Sequence, residues 1–229
     1  MGVKVIRGIG WTLIGAGMVI VLYLVYLLFY TNLETERAQN ELLEQFELEF
    51  GPIEQALPGR APDDPEAVTA TAEEVDPGDA YAAIWFERPG SDEPIVHEDP
   101  LLVVEGVTLG HLRKGPGHYP ETAAPGQQGN FALSGHRTTY GAPFYHLDAL
   151  REGDLIHVVD RDRTQWVYEF RRKQIVDPRA FWVIGRDPLG TGEPTLTLTT
   201  CHPRFSAARR LVVFAVLVDA TPAGASAEA

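Results

Sequence analysis

The sequence is poor in cysteine and in basic residues, and each shortage excludes a class of protein. Its 229 residues include one cysteine, so an intramolecular disulfide and a cysteine-rich metal site are both excluded. Lys and Arg number 19 against 32 Asp and Glu, a formal net charge of −13. Nucleic-acid-binding domains usually carry a basic patch, so we expect no nucleic-acid partner. The H-E-x-x-H zinc spacing, a Gly-rich phosphate loop and the G-x-S-x-G nucleophile elbow are absent as well.

Charge is distributed unevenly along the chain. Residues 1–32 contain only two charged side chains, Lys4 and Arg7. Residues 33–99 contain 19 acidic side chains against 3 Arg, whereas residues 100–229 contain 13 acidic and 14 basic ones. The chain therefore divides into an apolar start, an acidic middle and a nearly neutral remainder.

The apolar start is long enough to cross a membrane. No charge occurs between Arg7 and Glu34, and residues 9–30 are mostly apolar. About 20 such residues span a bilayer core, whereas a cleaved signal peptide has a shorter apolar region and a small-residue cleavage site. Because no A-x-A pattern follows, we predict an uncleaved signal anchor in residues 1–31. The basic residues before it predict a cytoplasmic N-terminus, with residues 32–229 outside the cell.

The acidic middle, residues 32–92, is predicted to be a juxtamembrane helix followed by a spacer. Apolar residues at helical spacing predict the helix over residues 33–50: Leu42, Leu43, Phe46 and Phe50. We expect this helix to be solvated; extension of the membrane helix and pairing with a partner are the alternatives. Residues 52–89 are rich in Pro, Ala, Asp, Glu and Gly, which predicts an extended or disordered tether. A weak apolar cluster within it is expected to dock on the following domain: Tyr81, Ile84, Trp85 and Phe86.

Residues 93–220 are predicted to form an all-β domain, followed by a flexible tail at 221–229. Short β-prone runs alternate with Gly and Pro, a pattern typical of a β-sandwich or barrel. The best short helix lies around residues 143–150. The predicted strands are 101–104, 107–112, 129–134, 154–159, 165–170, 174–176, 195–201 and 210–218.

The cysteine lies where a predicted strand ends. Cys201 closes the alternating run 195–200, and Pro203 would stop the strand. A short loop then leads to Arg209 and Arg210, which begin another strand. If these two strands pair in antiparallel fashion, an arginine lies beside the thiol and favours the nucleophilic thiolate. The alternative is a buried structural cysteine.

A cysteine nucleophile needs an acid–base partner, and histidine is the usual one. Of the seven histidines, His136 stands out because it follows a predicted strand ending in Ser134 and Gly135. It also opens a loop rich in hydroxyl residues and glycine. His157 instead lies within a strand pattern, and His97 lies in the acidic approach to the domain.

Two segments resemble the sortase family of cysteine transpeptidases. T-L-T-L-T-T-C-H-P-R-F-S at 195–206, followed by R-L-V-V from Arg210, is similar to the family's T-L-x-T-C…R signature. G-N-F-A-L-S-G-H-R-T-T-Y-G-A-P-F at 129–144 is similar to its histidine segment, and L-R-E-G-D-L-I at 150–156 to its next strand entry. The resemblance covers roughly 93–220. The residues of both motifs are most similar to those of class E sortases of actinobacteria, and class D sortases are the next most similar.

The resemblance implies a fold and a role for each matched residue. The family fold is a closed eight-stranded β-barrel with short helices, here preceded by one transmembrane helix. Cys201 would be the nucleophile, His136 the general acid and base, and Arg210 the residue that holds substrate and oxyanion. Arg209 competes for this last role, but Arg210 directly precedes the Leu-Val-Val run, as in the family motif. Successive strand residues face opposite sides, so only one of the two points at the cysteine.

The resemblance also implies the substrates. A secreted protein with a C-terminal sorting motif would be cleaved between Thr and Gly and passed, through a thioacyl-enzyme, to an amine of a peptidoglycan precursor. Class E members prefer Ala at the second motif position, so Leu-Ala-x-Thr-Gly is expected before Leu-Pro-x-Thr-Gly. Tyr119 is expected to line the pocket for that residue, with a packed turn aromatic as the alternative. Three threonines are expected near the groove, each with a structural role as the alternative: Thr138, Thr139 and Thr200.

No cofactor and no metal are expected, because the acidic residues lie mostly before the predicted barrel. A class D-like or pilin-polymerising sortase is one alternative; attachment to the wall is favoured because no second membrane segment is evident after Val218. A cysteine-dependent wall hydrolase or an L,D-transpeptidase is another alternative, but L,D-transpeptidases resemble one another in an S-H-G-C core that this sequence lacks. A membrane-tethered, non-enzymatic β-domain that binds wall or protein partners is the alternative from another class.

Overall fold

The computed structural model describes residues 2–26, 31–53 and 75–221. Within these ranges the α-helices are α1 (Gly2–Val25), α2 (Thr31–Phe50) and α3 (Leu109–Leu112), and 3-10 turns occur at Leu147–Ala149 and Phe181–Ile184. The strands are β1 (Ala80–Glu87), β2 (Leu101–Glu105), β3 (Gly117–His118), β4 (Asn130–Ser134), β5 (Leu155–Asp160), β6 (Gln165–Val176), β7 (Thr195–His202) and β8 (Arg209–Thr221). Most of the predicted spacer, at 54–74, and the tail at 222–229 lie outside the described residues.

The eight strands close into a barrel in the order β1-β2-β3-β4-β7-β8-β6-β5. The pairs β2/β3 and β4/β7 are parallel, and the other pairs are antiparallel. Alternate residues point inward, and the interior is filled by apolar side chains such as Phe131, Leu133, Leu196, Leu198 and Val213. The predicted closed eight-stranded barrel is confirmed.

The barrel begins before the predicted boundary at residue 93. Its first strand, Ala80–Glu87, comes from the predicted spacer and lies between β2 and β5. Ile84 and Phe86 point into the barrel core, whereas Trp85 stacks on His157 with ring centroids 5.0 Å apart. The apolar cluster expected to dock on the domain is therefore part of the barrel wall. This eight-residue strand was not predicted because Pro and acidic residues surround it in the sequence.

The strand predictions need two further corrections. Residues 109–112 form α3 and not a strand, because the Thr108 hydroxyl accepts a hydrogen bond from the His111 N–H and caps the turn. The predicted strands at 165–170 and 174–176 are one strand, β6, with an irregular register at Phe170/Arg172. The two-residue strand β3 is too short to show any periodicity.

α2 packs on the outside of the barrel, which overturns the expectation of a solvated helix. The apolar part of its buried face consists of Leu42, Phe46 and Phe50, which pack on outward-facing residues of β1 and β2. Full burial of each such side chain contributes roughly 1.5–3 kcal/mol. The helical period that predicted α2 is therefore explained by contact with the domain itself.

α1 agrees in length and composition with the predicted membrane helix. Residues Ile6–Val25 are long and apolar enough to cross a bilayer, and none of them is buried by the protein. Large apolar side chains such as Trp11 and Met18 are exposed around this helix.

Candidate active site

The β4/β7 pairing brings the His136 segment to the end of the strand that carries Cys201. The parallel register runs from Asn130↔Thr195 to Ser134↔Thr199. His136 and Cys201 therefore each lie two residues beyond the last pair, on strands whose backbones are about 4.8 Å apart. The Gly135 N–H donates to the Thr199 carbonyl at 3.0 Å, which keeps the two segments together past that pair.

The β7/β8 pairing places Arg210 on the other side of the cysteine. Cys201 and Arg210 are directly opposite each other in an antiparallel register, so both lie on the same face of the sheet. That face is the outside of the barrel, because Leu198 and Val213, of the opposite parity, are in the core. Arg209 pairs with His202 on the other face. The register thus separates the two arginines in the way that the strand alternation predicts.

Arg210 is held close to the chain in this structure. Its Nη1 donates to the carbonyls of Ala207 and Arg209, each at 3.0 Å. The guanidinium therefore lies along the β7/β8 loop. Cys201 itself is a free, half-buried thiol at the end of β7.

His136 lies in a partly buried pocket beside an aromatic ring and a cation. Its ring centroid is 5.0 Å from that of Tyr140, and the Arg113 guanidinium lies 5.3 Å from the Tyr140 centroid. Burial, and secondarily the positive charge of Arg113, lower the pKa of His136 below its ordinary value. Its Nε2 is buried and has no hydrogen-bond partner among the described residues. A neutral imidazole with a free nitrogen can accept a proton or donate one to a substrate.

The loop that follows His136 closes on itself. The Phe144 N–H donates to the His136 carbonyl at 3.1 Å, and Gly135 packs so closely on Phe144 that an added Cβ would lie 2.5 Å from its ring. Tyr140 and Gly141 both adopt positive φ, at 52° and 70°. These contacts hold the two ends of the loop, at His136 and Phe144, together.

Arg137 is a site residue that the sequence reasoning missed. Its side chain is buried, and its Nη1 donates to the Cys201 carbonyl at 3.3 Å and to His202 Nδ1 at 3.0 Å. Its Nη2 forms an ion pair with Asp148 at 3.0 Å. Burial alone would raise the pKa of Asp148, but the Arg137 and Arg204 charges hold it below its usual value. The clue in the sequence is a charged residue directly after the candidate histidine, at the exit of a predicted strand.

The predicted substrate-binding residues have different surroundings. The Tyr119 hydroxyl lies 3.3 Å from Thr199 Oγ1. Thr199 lies two residues before Cys201 on β7 and points to the same outer face. Thr138 and Thr139 are half-buried in the loop after His136. Thr200 is buried and its hydroxyl donates to the Gly135 carbonyl at 2.8 Å. Thr200 therefore secures the exit of β4, which agrees with the structural role given as its alternative.

The outer face beside Cys201 is bounded by the segment between β6 and β7. Val183, from the 3-10 turn in that segment, packs on Val212 and Phe214 of β8. Asn130 is buried beneath it, and its Nδ2 donates to the carbonyls of Val183 and Gly185 at 3.2 and 3.0 Å. One buried amide thus anchors this wall to the barrel. Among the described residues no group of three or more His, Cys, Asp or Glu is placed to hold a metal ion.

A closed eight-stranded barrel with a cysteine at a strand end, between a histidine segment and an arginine, defines the class of a cysteine transpeptidase. The Sortase domain family model matches residues 94–218, more than half of the chain. The chain belongs to the sortase family.

Its relatives include class E sortases of Streptomyces. Sortase SrtE2 of Streptomyces coelicolor is 28% identical over 92% of this chain and 81% of its own length. Sortase SrtE1 of the same organism is 28% identical over 94% of this chain, which spans only 58% of that relative. The structure of sortase E from Streptomyces avermitilis is 35% identical with a TM-score of 0.54, covering 64% of this chain and 92% of its own.

A class D structure matches more of the chain. The Clostridium perfringens Sortase D5 transpeptidase is 27% identical with a TM-score of 0.61, covering 80% of this chain and 99% of its own. Sequence identity is thus higher to the class E structure, whereas the share of this chain that superimposes is larger for the class D structure.

Proposed function

We propose that the protein is a membrane-anchored, extracytoplasmic sortase that cleaves a C-terminal sorting motif between Thr and Gly. It would transfer the new Thr carboxyl, through a thioacyl-enzyme, to an amine of a peptidoglycan precursor. The single observation that supports this best is the pairing of β7, the strand that carries Cys201, with β4 on one side and β8 on the other. Parallel pairing brings the His136 segment to one side, and antiparallel pairing places Arg210 on the other, all on the outer face of the barrel.

The proposed chemistry has two balanced steps. In the first step the Cys201 thiol gives its proton to His136, and the resulting thiolate attacks the Thr carbonyl carbon and forms the C–S bond; the C–N bond then breaks as His136 passes that proton to the departing Gly amine. In the second step an acceptor amine attacks the thioester, its surplus proton goes to His136, and the thiolate leaves. The oxyanion formed in each step needs a donor aimed at it, for which we propose the Arg210 guanidinium.

The proposed motif preference rests on the similarity of the chain to class E sortases and on the residues that line the outer face of the barrel near Cys201. Leu-Ala-x-Thr-Gly is expected before Leu-Pro-x-Thr-Gly. Tyr119, which lies on the outer face near Thr199, is the proposed contact for the second position, and Thr138 and Thr139 remain predicted groove residues. The crystal structure of Sortase E1 from Streptomyces coelicolor, 30% identical to this chain with a TM-score of 0.54, is described as having a tripeptide in its active site. A short peptide is therefore a suitable probe.

The proposed location rests on α1. The two basic residues before it predict a cytoplasmic N-terminus, so the barrel would face the cell wall, where both the sorting signal and the wall amine are available. Cysteine labelling with a membrane-impermeant maleimide in intact cells tests this orientation, because Cys201 is the single thiol of the chain. Labelling only after lysis would contradict it.

The test of the activity uses the full chain in detergent micelles. It is incubated with Leu-Ala-x-Thr-Gly and Leu-Pro-x-Thr-Gly peptides and a soluble amine, and mass spectrometry follows the protein and the products. We expect a thioacyl adduct on Cys201 and a transfer product, both abolished in Cys201→Ala. A folded protein that forms no adduct with either peptide would refute the proposal in favour of a non-enzymatic binding domain. A preference for Pro would support the class D-like alternative.

A further inference from the structure

α2 reaches the loop that carries His136, although it lies about a hundred residues earlier in the chain. We infer that α2 is a positioning element of the catalytic site, in which Asn32 and Thr35 hold Arg113 and the Tyr140 loop against the imidazole. This inference rests on the proposed function, and it assigns α2 a role beyond connecting the barrel to a membrane helix.

Two hydrogen bonds join the first turns of α2 to the loops around the site. Asn32 Oδ1 accepts a hydrogen bond from the Gly141 N–H at 3.1 Å. The Thr35 hydroxyl is buried and donates to the Arg113 carbonyl at 2.7 Å. These partners are 109 and 78 residues away in sequence, so each bond fixes a loop that local structure alone would not fix.

Steric contact strengthens the same connection. Gly141 has a φ of +70°, and a Cβ built on it would lie 3.0 Å from Thr35 Cγ2. The loop therefore packs against α2 with its backbone, and a glycine is needed both for the conformation and for the close approach.

From these two loops the contacts continue to the imidazole. The Arg113 guanidinium lies over the Tyr140 ring at 5.3 Å, and that ring contacts the His136 ring at 5.0 Å. Arg113 and Tyr140 thus form a layer with α2 on one side and the imidazole on the other. Removing the support of α2 allows this layer to move and exposes His136 to water.

α2 does not depend on Asn32 or Thr35 for its own attachment. Gln39 exchanges hydrogen bonds with both backbone groups of Leu102, at 2.8 and 3.0 Å, and donates to the Lys114 carbonyl at 2.7 Å. At the far end Arg163 donates to the Phe50 carbonyl at 2.8 Å. Single changes in the first turns of α2 therefore leave the helix docked, so their effects report on the site.

The test compares four variants of the full chain in detergent micelles. Asn32→Ala removes the acceptor for Gly141, and Thr35→Val removes the hydroxyl while keeping the shape of the side chain. Thr35→Ser restores the hydroxyl. Asn40→Ala is the matched control, because Asn40 is an exposed asparagine of the same helix.

We expect Asn32→Ala and Thr35→Val to lower kcat for acylation by about fivefold or more, with KM within about twofold, because positioning and not substrate affinity is lost. Thr35→Ser and Asn40→Ala should retain the wild-type rate. The acid limb of the pH profile should move to higher pH in the two damaging variants, because a more hydrated imidazole is protonated more easily. The ionisable groups that bear on His136 are Arg113 and Tyr140 in its pocket, with Cys201 and Arg210 at the strand ends.

Kinetics and pH profiles equal to those of Asn40→Ala in both damaging variants would overturn the inference. So would an effect on thermal stability alone. If the wild-type chain forms no adduct with either peptide, the proposed function fails separately. NMR titration of the His136 imidazole then still decides the point, because a pKa that is unchanged by Asn32→Ala and Thr35→Val refutes any control of its surroundings by α2.

Discussion

Arg137 offers the sharpest test of how the site is held together, and Arg137→Met is the informative change. The methionine keeps the aliphatic volume but removes the donors to the Cys201 carbonyl and His202, together with the ion pair to Asp148. The Arg137 side chain is 2% exposed, whereas that of Asp148 is 44% exposed. The partly buried Cys201 carbonyl therefore loses this donor, while the carboxylate regains water.

The expected cost follows from that asymmetry. Breaking a fully buried pair costs roughly 3–5 kcal/mol, and solvation of Asp148 reduces this to about 2–3 kcal/mol. For a protein of this size, such a loss lowers Tm by roughly 4–12 °C. Because the contact lies on the backbone of the nucleophile, acylation should fall on the order of tenfold to a hundredfold. Arg137→Lys should be intermediate, since one ammonium cannot reach all three partners.

Arg204→Met is the matched control for Arg137→Met. Arg204 binds the same Asp148 at 3.0 Å, but the two side chains are 35% and 44% exposed, so its loss should cost less than about 1 kcal/mol. Thermal melting by differential scanning fluorimetry and acylation of Cys201 by mass spectrometry measure the two effects. If Arg137→Met melts and reacts like Arg204→Met, the buried guanidinium does not hold the end of β7 and the reasoning is refuted.

Three further changes test other parts of the site. Arg113→Gln removes the smaller of the two causes that depress the pKa of His136, so that pKa should rise part of the way to its ordinary value, and an unchanged NMR titration would contradict this. The sign follows because a neighbouring cation disfavours the imidazolium, so its removal lets protonation occur at higher pH. Asn130→Asp places a carboxylate against the Val183 and Gly185 carbonyls, so KM for the peptide should rise and stability should fall by about 2 kcal/mol or more. Wild-type denaturant unfolding and an unchanged KM would disprove the anchoring of that wall. Thr200→Val leaves the buried Gly135 carbonyl unpaired, so unfolding should become easier by about 1–3 kcal/mol, and equal stability would show that the bond is dispensable.

The sequence alone was sufficient for the family, the barrel and the candidate nucleophile. The alternation of apolar and polar residues before Cys201 and the Gly-His-Arg motif at His136 are local patterns. Each can be recognised in the sequence without knowing which strand pairs with it. The preference for Arg210 over Arg209 came from the family motif, in which the arginine directly precedes the Leu-Val-Val run; alternation indicated only that one of the two faces the cysteine, and the register pairs Arg210 with Cys201. Local periodicity determines which residues can share a face, and that much is fixed before any tertiary contact forms.

Tertiary structure decided the rest, because it depends on contacts between distant segments. The strand at Ala80–Glu87 became recognisable only through its pairing with β2 and β5, since its Pro-rich and acidic surroundings predict a tether. The helical period of residues 33–50 predicted a helix without indicating what that helix packs against. The hydrogen bonds of α2 to Gly141 and Arg113 join residues that are 109 and 78 positions apart in the sequence. In the sequence, Arg137 has the features of an ordinary surface charge. Only the folded structure shows that it is buried and donates to the Cys201 carbonyl. Periodicity specifies which face of a segment is apolar, whereas the identity of the surface that covers it is a property of the closed barrel.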